Sequence, residues 1–210
     1  YLPDAIINYL LLLGWSLDDK TEDFSRDEMI KHFTLERVTK APASFDCKKL
    51  WAFEDRYFQR LPIKQKVAKM LPFLQKANLV SDPAPCEVGP KLTRIVEASG
   101  DRLKTAGDIL AYADFFFVEG DKVAYDEKDF QKRVTPPQSK ELLTKFRDTL
   151  KTVDPFEVGP LEEALKKFIE AQNVKIGDIV HTLRVAVTGK SVGPGVYDWL
   201  ATLGPRACLA

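Results

Sequence analysis

Nowhere in this chain do apolar and polar side chains alternate over a stretch long enough to make a half-buried strand; apolar residues recur at three- and four-residue spacing. That periodicity restricts the fold to packed helices, and Pro, Gly and capping residues divide it into elements. Leu2 to Gly14, with Pro3 at the start and Gly14 at the end, reads as one short, largely buried helix. Ser25-Arg26-Asp27-Glu28 is a capping box ahead of Met29, Ile30 and Phe33. Asp46 can cap a helix whose apolar positions are Leu50, Phe53, Tyr57 and Leu61. Pro62 opens another through Ile63, Val67, Met70, Leu71 and Leu74, which Pro72 should kink or end.

Residues 81–90 are dense in turn formers and read as a loop, followed by a helix carrying Leu92, Ile95 and Val96 up to Gly100. A second capping box, Thr105-Ala106-Gly107-Asp108, starts a short helix through Ile109, Leu110 and Ala113 that runs into Phe115, Phe116 and Phe117, read as core. Later helices carry Leu142, Leu143 and Phe146 after Pro136-Pro137, and Leu161, Ala164, Leu165, Phe168 and Ile169 after Pro160. Ile176, Ile179, Val180, Leu183 and Val187 define another, stopped by Gly189, and Pro194 opens a last one through Val196, Tyr197 and Leu200 before Gly204. The expected class is all-α, with about ten helices arranged as two stacked helical bundles and short connections.

Composition excludes more than it selects. The longest apolar stretch, Ala5 to Trp15, is interrupted by Asn8 and is too short to span a bilayer, so no membrane partner is expected. Without an initiator Met or signal-peptide regions, the chain is expected to begin inside a longer polypeptide. Cys47, Cys86 and Cys208 are odd in number and far apart, which suits structural thiols in a reducing compartment. Equal numbers of basic and acidic residues, 31 of each, give no general attraction for a polyanion. Lys132, Arg133, Lys140, Lys145, Arg147 and Lys151 form a local basic cluster, read first as the solvated side of a helix. Motifs for phosphate-binding loops, dinucleotide sites, zinc proteases and serine hydrolases are absent, so no catalytic residue, cofactor ligand or metal ligand is expected. His32 and His181, on separate helices, are read as packing or surface residues, and Glu162-Glu163 as first-turn charges that favour the helix dipole.

Three stretches resemble glutamyl-tRNA synthetases of bacterial type. Leu2-Pro3-Asp4-Ala5 through Asn8-Tyr9-Leu10 to Leu13-Gly14-Trp15-Ser16 is similar to the segment that follows that family's adenylate-site loop. Phe33-Thr34-Leu35-Glu36-Arg37-Val38, with Ala41-Pro42-Ala43-Ser44-Phe45-Asp46 and Lys49-Leu50, resembles its stem-contact region. Leu183-Arg184-Val185-Ala186-Val187-Thr188-Gly189 and Pro194-Gly195-Val196 are similar to its terminal signature. The three occur in the family's order. Ala52 to Arg60 departs from the W-x-N-G-x-Y-[IL]-R stretch common there.

The resemblance implies residues 1–61 as part of a stem-contact domain, 62–134 as a first and 135–210 as a second anticodon-binding helical domain, together forming a cage around the anticodon loop of tRNA(Glu). It places Arg102 as the reader of the third anticodon base, and Arg184, Thr188, Gly193, Pro194 and Val196 along the second half of the cage. It further implies a cytoplasmic monomer acting in cis with an N-terminal catalytic domain, upstream of Tyr1, which would hold ATP and magnesium and ligate glutamate. These residues alone would be inactive. Two rival readings stand beside it: a non-discriminating synthetase that also uses tRNA(Gln), and a helical protein-interaction module.

Overall fold

The computed structural model describes residues 1–40, 42–118, 122–191, 193 and 195–209, with backbone only for 112–114. Among them are eleven α-helices and three short 3-10 turns. Extended pairing is confined, among the described residues, to one isolated bridge between Trp15 and Val38. The all-α expectation holds. The chain divides into two compact units: residues 1–66 with 104–106, and residues 67–103 with 107–210.

In the smaller unit α1 (Pro3–Leu12) packs on α3 (Cys47–Arg60). α2 (Arg26–His32) and a 3-10 turn at Leu35–Arg37 lie between them in the chain. The capping box forms as expected, with the Ser25 hydroxyl accepting from the Glu28 N–H and the Glu28 carboxylate accepting from the Ser25 N–H. Asp46 caps α3 by accepting from the N–H groups of Lys48 and Lys49. Its buried face uses Phe53, Glu54 and Phe58. The buried Glu54 carboxylate accepts from the Leu2 N–H at 2.6 Å, so its charge sits at the positive end of α1.

A buried amide organises the surroundings of α1. Asn8, fully buried, donates to the Glu22 carbonyl at 2.6 Å and accepts from the Phe24 N–H at 2.7 Å. The Tyr57 hydroxyl lies 2.9 Å from Asn8 Oδ1 and 2.8 Å from the Phe24 carbonyl, sharing one proton between two acceptors. Burial and the nearby Asp23 carboxylate push the Tyr57 phenol above its ordinary value and keep it a donor. Asn8 thus ties α1 and α3 to the segment that seats Phe24 against Trp15 and Met29.

Two family-like stretches that are distant in sequence meet here. Trp15 bridges Val38, the Thr39 N–H donates to the Gly14 carbonyl at 2.7 Å, and Arg37 donates to the Leu17 carbonyl. Trp15 itself is buried, with the Phe33 ring 6.0 Å away.

α4 (Ile63–Lys76) begins in the smaller unit and ends in the larger one. The larger unit continues with α5 (Val88–Ser99), a 3-10 turn at Gly100–Arg102, α6 (Asp108–Ala113) and a 3-10 turn at Asp114–Phe117. It is completed by α7 (Glu127–Arg133), α8 (Pro137–Leu150), α9 (Val158–Gln172), α10 (Ile176–Thr188) and α11 (Val196–Leu209). α11 is the hub: α5, α8, α9 and α10 all pack against it, and Trp199 and Leu200 on its inner face are fully buried. Truncating a side chain as large as Trp199 typically costs about 3–5 kcal/mol. Residue 134, where the sequence suggests a seam between two anticodon-binding domains, lies inside this unit, with α7 on one side of it packed on α10 from the other.

Several local expectations need correction. α1 is not largely buried: Ala5, Asn8 and Tyr9 are, whereas Ile7 and Leu10 on the other side are 36% and 52% exposed. Of the kink or end expected at Pro72, the end does not occur, since α4 runs to Lys76. Pro72 is exposed, so water can satisfy the freed Ala68 carbonyl, and fully buried Met70 and Leu74 on the opposite side hold the helix together. α5 starts at Val88, inside the expected loop, because Pro90 in a first turn lacks only an N–H that would be unbonded anyway. α7 escaped the periodicity reading because Phe130 is its only large apolar residue; Asp126 caps it by accepting from the Asp129 N–H. Phe115 and Phe116 are core as expected. Cys47 and Cys86 are exposed and are surface thiols rather than structural ones.

Asn8→Ala leaves the Phe24 N–H and Glu22 carbonyl buried without their partner, and should lower stability by about 3 kcal/mol, read as a fall in the urea midpoint followed by tryptophan fluorescence. Burial pushes the Cys208 thiol up to about 12, so thiolate is scarce there at neutral pH. A thiol-titrating disulfide reagent at about pH 8 should therefore consume Cys47 and Cys86 quickly and Cys208 only after denaturation.

Candidate nucleic-acid interface

The basic cluster of residues 132–151 resolves into the expected solvated helix side. Lys145 pairs with Glu141 at 2.7 Å and Lys151 with Asp148 at 2.7 Å, both on exposed parts of α8 and its end. Such pairs hold their charge close to a partner of opposite sign and contribute a few tenths of a kcal/mol.

The end of α10 is built differently. Gly189 terminates the helix at φ +74, in the left-handed region, and its N–H donates to the Val185 carbonyl. The segment before α7 crosses this end: the Asp126 N–H donates to the Gly189 carbonyl at 2.9 Å, and the Tyr125 hydroxyl to the Ala186 carbonyl at 2.9 Å. A Cβ on Gly189 would stand 2.1 Å from the Ala124 carbonyl oxygen, so only glycine lets the two backbones approach.

Thr188 is 1% exposed, and its hydroxyl lies 2.8 Å from the Arg184 carbonyl and 3.2 Å from the Lys190 carbonyl, with the Lys190 N–H donating to it at 3.3 Å. It fastens the turn that follows the helix. On that turn the Ser191 carbonyl accepts from Arg184 Nη1 at 3.3 Å, and Lys190 Nζ donates to the Ala111 carbonyl at 3.0 Å. Arg184 is half-buried, with its Nε enclosed.

The other positions singled out from sequence are distributed as follows. Gly193 is half-buried on the same connection, and Val196, the first residue of α11, is 8% exposed and packs inward. Pro194 lies outside the described residues. Arg102 is exposed on the Gly100–Arg102 turn; Gly100 ends α5 at φ +56, and Leu103 behind it is 1% exposed. The structure thus joins Arg184, Thr188, Lys190 and Ser191 through hydrogen bonds, sets Arg102 on a separate turn, and places Thr188 and Val196 under the surface.

Two features were not legible in the sequence. Lys91, its pKa lowered by burial, donates to the Phe116 carbonyl and lies 5.5 Å over the Phe117 ring, fixing the Asp114–Phe117 turn. In the smaller unit Lys104 lies 2.7 Å from Asp55 and 4.7 Å over the ring of Trp51, which is 42% exposed. The partners are too far apart in the chain for any local pattern to signal them.

Residues 65–210 match the family model described as the anticodon binding domain. The chain belongs to that family. Residues 1–52 match a second model, the catalytic domain of class I tRNA synthetases (E and Q). A glutamate–tRNA ligase of Moorella thermoacetica is 35% identical over 210 residues, which are 100% of this chain and 42% of the relative. One from Desulforudis audaxviator is 38% identical over 212 residues, again 100% of this chain and 42% of the relative. The crystal structure of a glutamate tRNA ligase from Elizabethkingia meningosepticum, in complex with its amino acid, superimposes with a TM-score of 0.86 at 29% identity, over 100% of this chain and 40% of that one. This anticodon binding domain protein therefore spans less than half the length of the curated relatives it matches.

Gly189 and Gly204 share a positive φ, +74 and +79, but differ in ψ, −4 against 170, and a Cβ at Gly204 meets nothing within 4 Å. Gly204→Ala should cost about 1–3 kcal/mol from backbone strain alone. Gly189→Ala combines left-handed strain of about 1–2 kcal/mol with the clash against the Ala124 carbonyl, which should add about 2 kcal/mol, measured as the fall in the thermal unfolding midpoint.

Proposed function

We propose that this chain recognises the anticodon loop of tRNA(Glu) as the tRNA-reading part of a glutamate–tRNA ligase. The observation that carries the reading is the match of residues 65–210 to the anticodon binding domain, which contains exposed Arg102 on its turn and half-buried Arg184 near the end of α10. Arg102 offers a guanidinium fork on a short turn, suited to the acceptor edge of a splayed-out cytosine. Arg184 offers a second donor beside the turn after α10. Thr188 and Val196 serve by holding that turn and the start of α11, and Gly193 and Pro194 are read as further contacts on the same connection. Recognition of unpaired bases by two placed donors does not require a basic protein, which agrees with 31 basic and 31 acidic residues. In this reading the parent enzyme is a cytoplasmic monomer, and ATP, magnesium and glutamate bind in the catalytic part shared with the longer relatives.

Titration of the protein with transcribed tRNA(Glu) and tRNA(Gln) at low and high salt tests it. Preference for tRNA(Glu), weakened by salt as phosphate contacts require, is expected. Arg184→Ala should weaken binding by about 1–3 kcal/mol, and Arg102→Gln should erode the preference between the two tRNAs more than the total affinity. Equal affinity for both would make the parent a non-discriminating enzyme. Binding to neither would leave a helical protein-interaction module.

A further inference from the structure

In the larger unit, α4 from Val67 onward has two unlike sides. Met70 and Leu74 are fully buried in the core. Lys69, Phe73 and Lys76 follow one another at i, i+4 and i+7, which sets them in one line along the helix, and all three are exposed. Phe73 is 40% exposed, with a lysine one turn to either side of it. The two cations lie about 10 Å apart along the axis.

Folding does not account for this line. α4 holds four lysines and no acidic residue, in a chain whose basic and acidic residues balance at 31 each. Lys69 and Lys76 form no ion pair or side-chain hydrogen bond among the described residues. The exposed lysines of α8 and α9 differ: Lys145, Lys166 and Lys167 each meet a glutamate one turn away, the pattern of a helix side that only faces water. The helix dipole favours Lys76 in the last turn but does nothing for Lys69 in the middle. An apolar protein surface is a poor partner here, because covering Phe73 would strip water from two ammonium groups. A nucleic-acid strand suits the line: its phosphates match the cations, and its base faces match the ring.

We infer that Lys69, Phe73 and Lys76 form a further contact with tRNA, on a different helix from the two arginines: the lysines meet two phosphates, and the Phe73 ring packs on an unpaired base between them. The inference rests on the function proposed above and deepens it. Phosphates are the same at every position and every base has a flat face, so this contact adds affinity without sequence preference. Preference stays with the guanidinium donors of Arg102 and Arg184.

Titrations with transcribed tRNA(Glu) and tRNA(Gln) over a series of salt concentrations test it. A Lys69→Gln, Lys76→Gln double variant is expected to flatten the slope of log K against log salt by about 1.4, or roughly 0.7 for each single-stranded phosphate, and to do so for both tRNAs alike. Phe73→Leu is expected to weaken binding at least about fivefold at every salt concentration and to leave the slope unchanged. A Lys166→Gln, Lys167→Gln double variant on α9 removes the same net charge and is expected to keep the slope of the unaltered protein. An unchanged slope in the α4 pair, an equal flattening in both pairs, or full affinity in Phe73→Leu overturns the inference. The anticodon reading is scored separately, by the preference between the two tRNAs. Equal binding of both, with the α4 effects present, refutes that reading and leaves the α4 contact standing; a preference for tRNA(Glu) with no α4 effect does the reverse, and binding of neither tRNA refutes both.

Discussion

The larger unit depends on one helix. α11 enters the core with Val196, buries Trp199 and Leu200 completely, and presents surfaces to α5, α8, α9 and α10. A fully buried indole and its neighbours remove enough apolar area from water to offset the ordering of a long, loop-linked helical chain. The break at Gly204, where φ is +79, ends the regular part of the helix just past its buried face. Because α5 and α10 lie against the same helix, the turns that follow them belong to a single packed body.

The turns that carry the functional proposal are products of that packing. Arg102 follows Gly100, a left-handed helix end, with buried Leu103 anchoring the chain immediately after it. Arg184 sits one turn before Gly189, another left-handed end, whose following residues are fastened by a buried threonine hydroxyl. Arg102 is carried by backbone whose course is set by a glycine and a buried neighbour, and Arg184 by a packed helix, so less freedom is lost on binding than from a mobile loop.

The smaller unit is governed by polar satisfaction. Asn8, Tyr57 and the backbone of Glu22 and Phe24 form one connected set of hydrogen bonds, and Glu54 meets the start of α1. Such a network specifies one arrangement of the helices because alternatives leave buried donors and acceptors unpaired. The other side of α1 is apolar and open, with Ile7 and Leu10 exposed.

Much of this protein was legible from local rules. Helical spacing of apolar residues, the Ser25–Glu28 box, the Asp46 cap, Pro137 at a helix start and Gly189 at a helix end all act within a few residues, and the helices formed where they pointed. The three family-like stretches led from sequence alone to the family that the chain belongs to. Only the tertiary structure decided that α4 continues beyond Pro72, that α7 forms around a single phenylalanine, and that Thr188 and Val196 lie beneath the surface while Arg102 lies on it. It alone brought Trp15 to Val38 and Lys104 to Trp51. The physical reason is range: capping and periodicity are energies between neighbours along the chain, whereas burial and long-range hydrogen bonds depend on which distant segment arrives to exclude water.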